Sequence, residues 1–319
     1  AGSSLGFYPG MGGGQTTDTS AGAGVIYRLD KTAGDAIILT NYHVVYSASC
    51  NTDNRISDDI AVYLYGAEGD DQGIAATYVG GSMYYDIAVL RVTDSAALRQ
   101  SVAAAATFAD SDTVTAGSTA IAIGNPQGDG TAVTRGVVSV PSEYISMTTA
   151  DSSGKVSFRV IRVDTAVNSG NSGGGLYNAS GRLIGLVNAK VSDESVENIG
   201  YAIPSNVVRA VAENILYYCA DGDCETVQRA LLGITVTGTD SHAVVDAESG
   251  TVHTEETVSV YEVSAGGLCD GVLQAGDILR AVTLNGETFR ITARYQLIDR
   301  MLYLRAGDTV TLTCERGGG

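Results

Sequence analysis

Residues 21–203 form a succession of short apolar runs separated by Gly, Asp and Asn, and this spacing is the strongest constraint on the fold. Runs such as AGVIYRL, DIAVLRV and STAIAIGNP have the length of strands and contain many β-branched residues. The gaps between the runs leave little room for the helices that connect a parallel α/β sheet. The sequence therefore predicts an all-β barrel or sandwich for this part of the chain.

The pattern changes after residue 203. Ser205 is a favourable helix N-cap, and apolar residues then follow at helical spacing: Val207, Val208, Val211, Ile215 and Leu216. Residues 226–319 contain several strand-like runs and one helical stretch, TARYQLIDRMLYL, which predicts a small α+β domain. We therefore expect an N-terminal arm (1–20), a first domain (21–218), a linker (219–225) and a second domain (226–319).

Charge and cysteine content exclude several kinds of function. The formal net charge is −17, and no cluster of Lys and Arg would attract nucleic acid or an anionic lipid surface. The five cysteines match no zinc-binding spacing. Cys219 and Cys224 are close enough in sequence for a small disulfide loop, whereas Cys269 and Cys314 are expected to be free and buried. We expect neither a metal nor another cofactor.

The stretch VNSGNSGGGLYN, residues 167–178, surrounds Ser172 with small residues. Such a stretch is either a flexible loop or a tight turn that carries a nucleophile beside exposed amides. The first domain has a single histidine, His43, at the end of an apolar run, and Asp86 directly precedes a buried-looking strand. Alone, His43 would more often be structural and Asp86 would more often be a turn residue. Together with Ser172 they occur in the order His, Asp, Ser, which is the order of the catalytic residues in proteases of the chymotrypsin fold.

Six motifs occur in an order that resembles the HtrA (Deg) family of serine proteases: TNYHVV, YYDIAVLRV, AIAIGNPQG, DTAVNSGNSGGGLYN, GRLIGLVNAK and IGYAIPSN. The resemblance implies a chymotrypsin-like protease domain, a double six-stranded β-barrel. The stretch LCDGVLQAGDILRAVTLNG resembles part of a PDZ domain, which this family carries after the protease domain.

The resemblance also implies roles for particular residues. His43, Asp86 and Ser172 would be the catalytic triad, and amides of Gly170, Asn171 and Ser172 would form the oxyanion hole. Substrate would pair in an extended form with the stretch Leu186, Val187, Asn188, Ala189 and Lys190. Lys190 stands where the family leads us to expect an apolar residue. If its side chain points outward, we expect the protease to prefer substrates with a small or aliphatic residue immediately before the cleaved bond. If it points inward, we expect a preference for an acidic or polar residue there.

In the PDZ-like domain the resemblance implies a loop that binds peptide C-termini. The residues are Leu231, Leu232, Gly233 and Ile234, and the extended peptide would add beside the following strand. Residues 238–257 are polar and acidic and predict a hairpin or insertion, with His242 and His253 as exposed bystanders. Without the PDZ resemblance, LLGI would be an ordinary strand start.

Other family properties are expected on the same ground. These are cleavage of unfolded or damaged proteins, an extracytoplasmic location, and assembly as a homo-trimer, for which Phe7 and Tyr8 in the arm are candidate contacts. A membrane anchor before residue 1 is left open. Residues 126–136 and 141–157 are candidate mobile loops for switching activity.

Two other functions are alternatives to a serine protease. A non-catalytic chaperone or PDZ scaffold on a locked protease fold is the main alternative, and an intact His43, Asp86 and Ser172 argues against a dead site. An esterase is disfavoured because GNSGG is not the G-x-S-x-G elbow, and the three residues are in the wrong order for those enzymes.

Overall fold

The computed structural model describes residues 20–66, 72–126, 130–189, 199–219, 227–247 and 250–317. The chain divides into two compact units, Ala1–Val227 and Gln228–Gly319. The predicted arm contacts, Phe7 and Tyr8, and most of the predicted linker lie outside the described residues. The exact domain boundaries therefore stay predictions.

The first half of the N-terminal unit is an antiparallel five-stranded sheet in the order β1-β2-β5-β4-β3. Its elements are β1 (Val25–Asp30), β2 (Asp35–Thr40), α1 (Tyr42–Val45), β3 (Ile60–Val62), β4 (Ile74–Ser82), β5 (Ile87–Val92) and α2 (Ala96–Gln100). Apolar side chains of this sheet form one buried cluster, which includes Ile38, Tyr42 and Leu90. That cluster holds the end of β2 and the start of β5, and the candidate site residues His43 and Asp86 lie next to these strand ends.

The second half of this unit is a closed six-stranded barrel in the order β10-β11-β8-β7-β6-β9. The strands are β6 (Thr119–Gly124), β7 (Ala132–Thr148), β8 (Lys155–Val163), β9 (Gly175–Tyr177), β10 (Leu183–Val187) and β11 (Gly200–Pro204). The sequence predicted two six-stranded barrels. Only this barrel closes with six strands, because β1 and β3 gain no further partner strand within the described residues.

Strands β7 and β8 are longer than the sequence predicted. Residues 141–157 were expected to form a mobile loop, but residues 141–148 and 155–157 belong to the paired strands. A compact turn joins them, in which Thr149 N–H donates to the Gly154 carbonyl at 3.0 Å. The prediction was wrong because polar side chains alternate here with partly buried ones, and the strand pairing satisfies the backbone.

A helix, α3 (Ser205–Tyr218), follows the barrel and buries Val207, Val208 and Val211. The predicted N-cap is wrong, since Pro204 occupies that position and Ser205 is already the first helical residue. The Ser205 hydroxyl instead donates to the Ala109 carbonyl at 2.8 Å. This long-range hydrogen bond ties the start of the helix to the barrel.

The C-terminal unit is a small α+β fold, as the sequence predicted. Its elements are β12 (Ile234–Val245), β13 (Val252–Val263), β14 (Ile278–Leu284), β15 (Glu287–Arg290), α4 (Arg294–Arg300) and β16 (Val310–Glu315). The sheet order is β12-β13-β14-β15, and β16 pairs with β14. Val260, Val282 and Leu297 lie in its buried cluster. Strands β12 and β13 form the expected hairpin, on which His242 is exposed.

The cysteines divide into bonded and free thiols. Cys219 is disulfide-bonded, and Cys224, its candidate partner, lies outside the described residues. Cys50, Cys269 and Cys314 carry free thiols. Burial raises the pKa of the Cys269 thiol and of the Cys314 thiol. Burial therefore disfavours the thiolate form of both residues.

Asp277 and Arg316 form an ion pair with two hydrogen bonds in the C-terminal unit. Its side chain is 1% exposed, and Arg316 donates to both carboxylate oxygens at 2.7 Å and 2.6 Å. Hydrogen bonds from Arg316, and then from the Gln274 N–H, lower the pKa of Asp277 to about 2. A carboxylate with a lowered pKa stabilises the fold above its unfolded-state pKa of about 4, and this contribution is lost as the pH falls towards 2.

We expect Asp277→Asn to lower the thermal midpoint at neutral pH, because the Arg316 guanidinium loses its charged partner. The difference from the wild-type chain should shrink between pH of about 4 and about 2. Calorimetry of the full chain measures it, with Asp58→Asn, a charge loss at an exposed position, as the matched control. A difference that is equally large at both ends of this range would contradict the assignment.

Candidate active site

His43, Asp86 and Ser172 lie together although they are far apart in sequence. His43 is on α1, the short helix after β2, rather than at the end of the strand as the sequence suggested. The distance from His43 Nδ1 to Asp86 Oδ2 is 2.6 Å, and that from His43 Nε2 to Ser172 Oγ is 2.9 Å. An ionised carboxylate can only accept, so the Nδ1–H donates to Asp86. The Nε2 atom is then left to accept the proton of the serine hydroxyl.

Asp86 is held by several hydrogen bonds at the start of β5. Its side chain is 1% exposed, and its φ of +52° is unusual for a residue other than glycine. The backbone N–H of His43 donates to Oδ1 at 2.9 Å, and the side-chain amide of Asn188 donates to Oδ2 at 2.8 Å. The Asn41 side chain donates to the Asp86 carbonyl at 2.8 Å. These contacts orient the carboxylate towards the imidazole.

Ser172 lies on the tight turn that the sequence suggested. Gly170 has a φ of +93° and Gly173 a φ of +82°, values that side-chain-bearing residues rarely adopt. Across residues 130–189 and the other described segments, the amides of Gly170 and Ser172 donate to no acceptor. The Asn171 amide differs, since it donates to the Asn168 carbonyl at 3.0 Å. The prediction that Asn171 contributes an oxyanion-hole amide is therefore wrong.

The predicted substrate-binding stretch begins inside the closed barrel. Leu186 is in the interior strand β10 and is paired on both sides, and both backbone polar groups of Val187 bond to the Gly173–Gly174 segment. Asn188 N–H donates to the Tyr201 carbonyl at 2.9 Å. Barrel closure therefore occupies the backbone groups of Leu186 and Val187, and the prediction is wrong for these two residues. Only the N–H of Asn188 is engaged in this way, so its part in substrate binding stays a prediction.

The last two residues of that stretch are in a different situation. Ala189 N–H donates to Ser172 Oγ at 3.2 Å, so its backbone lies directly beside the hydroxyl. Lys190 lies outside the described residues. The sequence question about the direction of Lys190 stays open.

Sequence reasoning missed the role of the Asn188 side chain. The residue is fully buried in an otherwise apolar run, LIGLVNAK, and its amide reaches Asp86. A polar side chain in a buried strand end needs a partner. This rule could have marked Asn188, although it does not say which partner the residue takes.

The predicted peptide-binding loop lies at the start of β12. Gly233 has a φ of +73°, and a Cβ there would lie 2.8 Å from Gly267 Cα. The Leu232 and Gly233 carbonyls accept hydrogen bonds from Cys269 N–H and Ser264 N–H. Within residues 227–247 and 250–317, no hydrogen bond engages the amides of Leu232 and Gly233. Leu231 is 68% exposed, and Ile234 begins the outermost strand of the sheet.

Among the described residues, no group of three or more His, Cys, Asp or Glu could hold a metal ion. In the same segments, no helix has the length and apolar character needed to cross a membrane.

Comparisons with known proteins agree on one family. A model of the trypsin-like peptidase domain matches residues 22–186. The serine protease Do-like HtrA of Bacillus subtilis is 34% identical over 314 residues, which cover 95% of this chain and 62% of that protein. The Lactococcus lactis subsp. cremoris protein of the same name is 34% identical over 310 residues, covering 94% and 69%. The periplasmic serine endoprotease DegP of Escherichia coli is 32% identical over 315 residues, covering 97% and 57%.

Solved structures give the same result. A serine endoprotease from Yersinia pestis has a TM-score of 0.53 and 25% identity, and the match covers 100% of this chain and 90% of that one. The HtrA-type protease AlgW with a decapeptide has a TM-score of 0.55 and 25% identity, covering 100% and 92%. The chain spans 62% of the Bacillus relative and 57% of the Escherichia relative.

Substituting Gly173 by alanine tests how tightly the turn that carries Ser172 is packed. A Cβ at this position would lie 2.2 Å from both the Ala23 carbonyl and Thr40 Oγ1, whereas a Cβ at Gly181, which also has a positive φ, meets nothing within 4 Å. Gly181→Ala should cost about 1 kcal/mol of unfolding free energy for backbone strain alone. Gly173→Ala should cost about 1–3 kcal/mol more. Urea unfolding measures both, and equal losses would contradict the packing described here.

Proposed function

Because the chain belongs to the trypsin-like peptidases and, among them, to the HtrA serine proteases, we propose that it is an endopeptidase that cleaves unfolded or damaged proteins through Ser172. The observation that carries the proposal is the position of the His43 imidazole. It lies 2.6 Å from the Asp86 carboxylate and 2.9 Å from the Ser172 hydroxyl. This geometry suits proton transfer in acyl transfer.

The proposed reaction has two steps. Ser172 Oγ attacks the peptide carbonyl while His43 Nε2 takes the hydroxyl proton, and the imidazolium then donates this proton to the leaving amine. In the second step, water attacks the acyl carbonyl while His43 takes a proton from the water. The imidazolium then returns this proton to Ser172 Oγ as the acyl–oxygen bond breaks and the carboxylate product leaves. Asp86 stays ionised, holds the imidazole orientation and stabilises the imidazolium.

The amides of Gly170 and Ser172 are proposed as the donors to the oxyanion. These amides have no acceptor among the described residues, and this observation and the positive φ of Gly170 support the role. Donors of this kind each lower the barrier by about 3 kcal/mol in comparable enzymes. Asn171 is left out because its amide already has an acceptor.

Substrate is proposed to bind in an extended conformation at Ala189, rather than along Leu186 and Val187. The Ala189 backbone is next to Ser172 Oγ, whereas Leu186 and Val187 are paired within the barrel. Extended binding suits unfolded chains, because a folded segment would not present its backbone.

The C-terminal unit is proposed to act as a PDZ domain that binds peptide C-termini. The amides of Leu232 and Gly233 are available for a carboxylate, and β12 is an outer strand to which an extended peptide can add. We also propose an extracytoplasmic location, since two Escherichia coli relatives are named as periplasmic serine endoproteases. A homo-trimer is proposed on the family resemblance alone.

Casein cleavage tests the proposed activity. Wild-type chain should degrade unfolded casein, and Ser172→Ala should lower the rate by several orders of magnitude because the nucleophile is lost. Ser180→Ala, an exposed serine in a surface turn, is the matched control and should retain activity. If wild type and Ser172→Ala are equally inert, with and without peptides ending in apolar residues, the chaperone or scaffold alternative is preferred.

A peptide pair tests the proposed PDZ function. A fluorescent peptide with an apolar last residue and a free carboxylate should bind the full chain, whereas the same peptide with a C-terminal amide should bind at least about tenfold more weakly. Fluorescence anisotropy with Ser172→Ala protein avoids cleavage during the measurement. Equal affinity for the two peptides would contradict the role of the Leu232 and Gly233 amides.

A further inference from the structure

The β7–β8 hairpin reaches from the barrel to the neighbourhood of Asp86. Its pairing runs from Val138 with Val163 in the barrel to Thr148 with Lys155 beside the turn. Met147 is near this tip and is 5% exposed. The tip is therefore a packed part of the N-terminal unit.

Two contacts fix the hairpin tip to the first sheet. Ala150, in the turn, packs against the buried cluster of that sheet. The Tyr84 hydroxyl donates to the Ser157 carbonyl at 2.8 Å. Since Tyr84 is two residues before Asp86, the hairpin is attached to the segment that carries the candidate carboxylate.

Met147 contacts the side chain of Asn188, the barrel residue that binds the Asp86 carboxylate. The side-chain nitrogen of Asn188 lies 3.8 Å from Met147 Sδ and 2.8 Å from Asp86 Oδ2. A carboxamide nitrogen has two N–H donors, and the thioether sulfur is a weak acceptor. The sulfur and the carboxylate oxygen therefore engage the two donors of one fully buried amide.

Removing the sulfur would change the preferred orientation of the Asn188 amide. A buried N–H without an acceptor is unfavourable, so the amide would turn towards another partner or loosen. The hydrogen bond from the same nitrogen to Asp86 Oδ2 would then weaken. The imidazole of His43, which shares Oδ2, would lose part of its alignment towards Ser172.

We propose that Met147 is a positioning residue that aligns the Asp86 carboxylate through the Asn188 carboxamide. The inference rests on the proposed serine peptidase function. It means that the β7–β8 hairpin helps to hold the active site in place, although no residue of the hairpin touches the reacting atoms.

The test is a double-mutant cycle on the reactivity of Ser172. The measured quantity is the second-order rate of inactivation by a fluorophosphonate, which needs no knowledge of the natural substrate. Met147→Leu keeps the side-chain volume but removes the acceptor, and it should slow inactivation about 3- to 10-fold. Asn188→Ala should slow it about 10- to 100-fold.

The decisive comparison is the effect of Met147→Leu in the Asn188→Ala background. If Met147 acts through Asn188, its replacement has no further effect once the carboxamide is absent. The matched control is Met301→Leu, the same change at a buried site in the C-terminal unit, which should leave the rate unchanged. Thermal midpoints of all variants verify that each is folded at the assay temperature.

The outcomes separate this inference from the proposed function. An equal loss in both backgrounds, or no loss in either, overturns the role of Met147 while labelling still depends on Ser172. Labelling that persists in Ser172→Ala overturns the proposed function itself.

Discussion

The buried carboxylate of Asp86 is the group on which the geometry of the candidate site depends. An ionised group that is 1% exposed is costly unless hydrogen bonds replace the lost water. Three donors do so here: the backbone N–H of His43, its ring Nδ1–H and the Asn188 amide. The same bonds hold the imidazole with Nε2 2.9 Å from Ser172 Oγ. The hydrogen bonds that stabilise the Asp86 charge therefore also place His43 beside the serine hydroxyl.

These donors come from both halves of the N-terminal unit. His43 lies on α1 just after β2 and Asp86 directly precedes β5 in the first sheet, whereas Ser172 lies shortly before β9 and Asn188 directly follows β10 in the closed barrel. Rigid strands hold the ends of the connecting segments, and the unusual backbone angles lie in those segments, at Asp86 and Gly170. Strain at such positions is tolerated only where the surroundings determine the conformation.

Much of this arrangement could be predicted from the sequence, and the failures have physical reasons. Short apolar runs predicted the strands, and the resemblance of six motifs to the HtrA family predicted that His43, Asp86 and Ser172 meet. The role of Asn188 was missed, because the residue that accepts from its amide is set by the tertiary fold and not by local pattern. Its neighbour Leu186 was misassigned because strand pairing on both sides follows from barrel closure, which no single strand reveals.

The rate at which an organophosphonate labels Asp86→Asn, compared with wild type, tests most directly whether this carboxylate organises the site. Mass spectrometry locates the adduct, and the account predicts a single modification on the peptide that contains Ser172. Labelling of Asp86→Asn should be slower by about 10⁴-fold, because an amide would favour the wrong imidazole tautomer and leave Nε2 unable to accept the serine proton. Equal labelling rates in the two proteins would contradict the account.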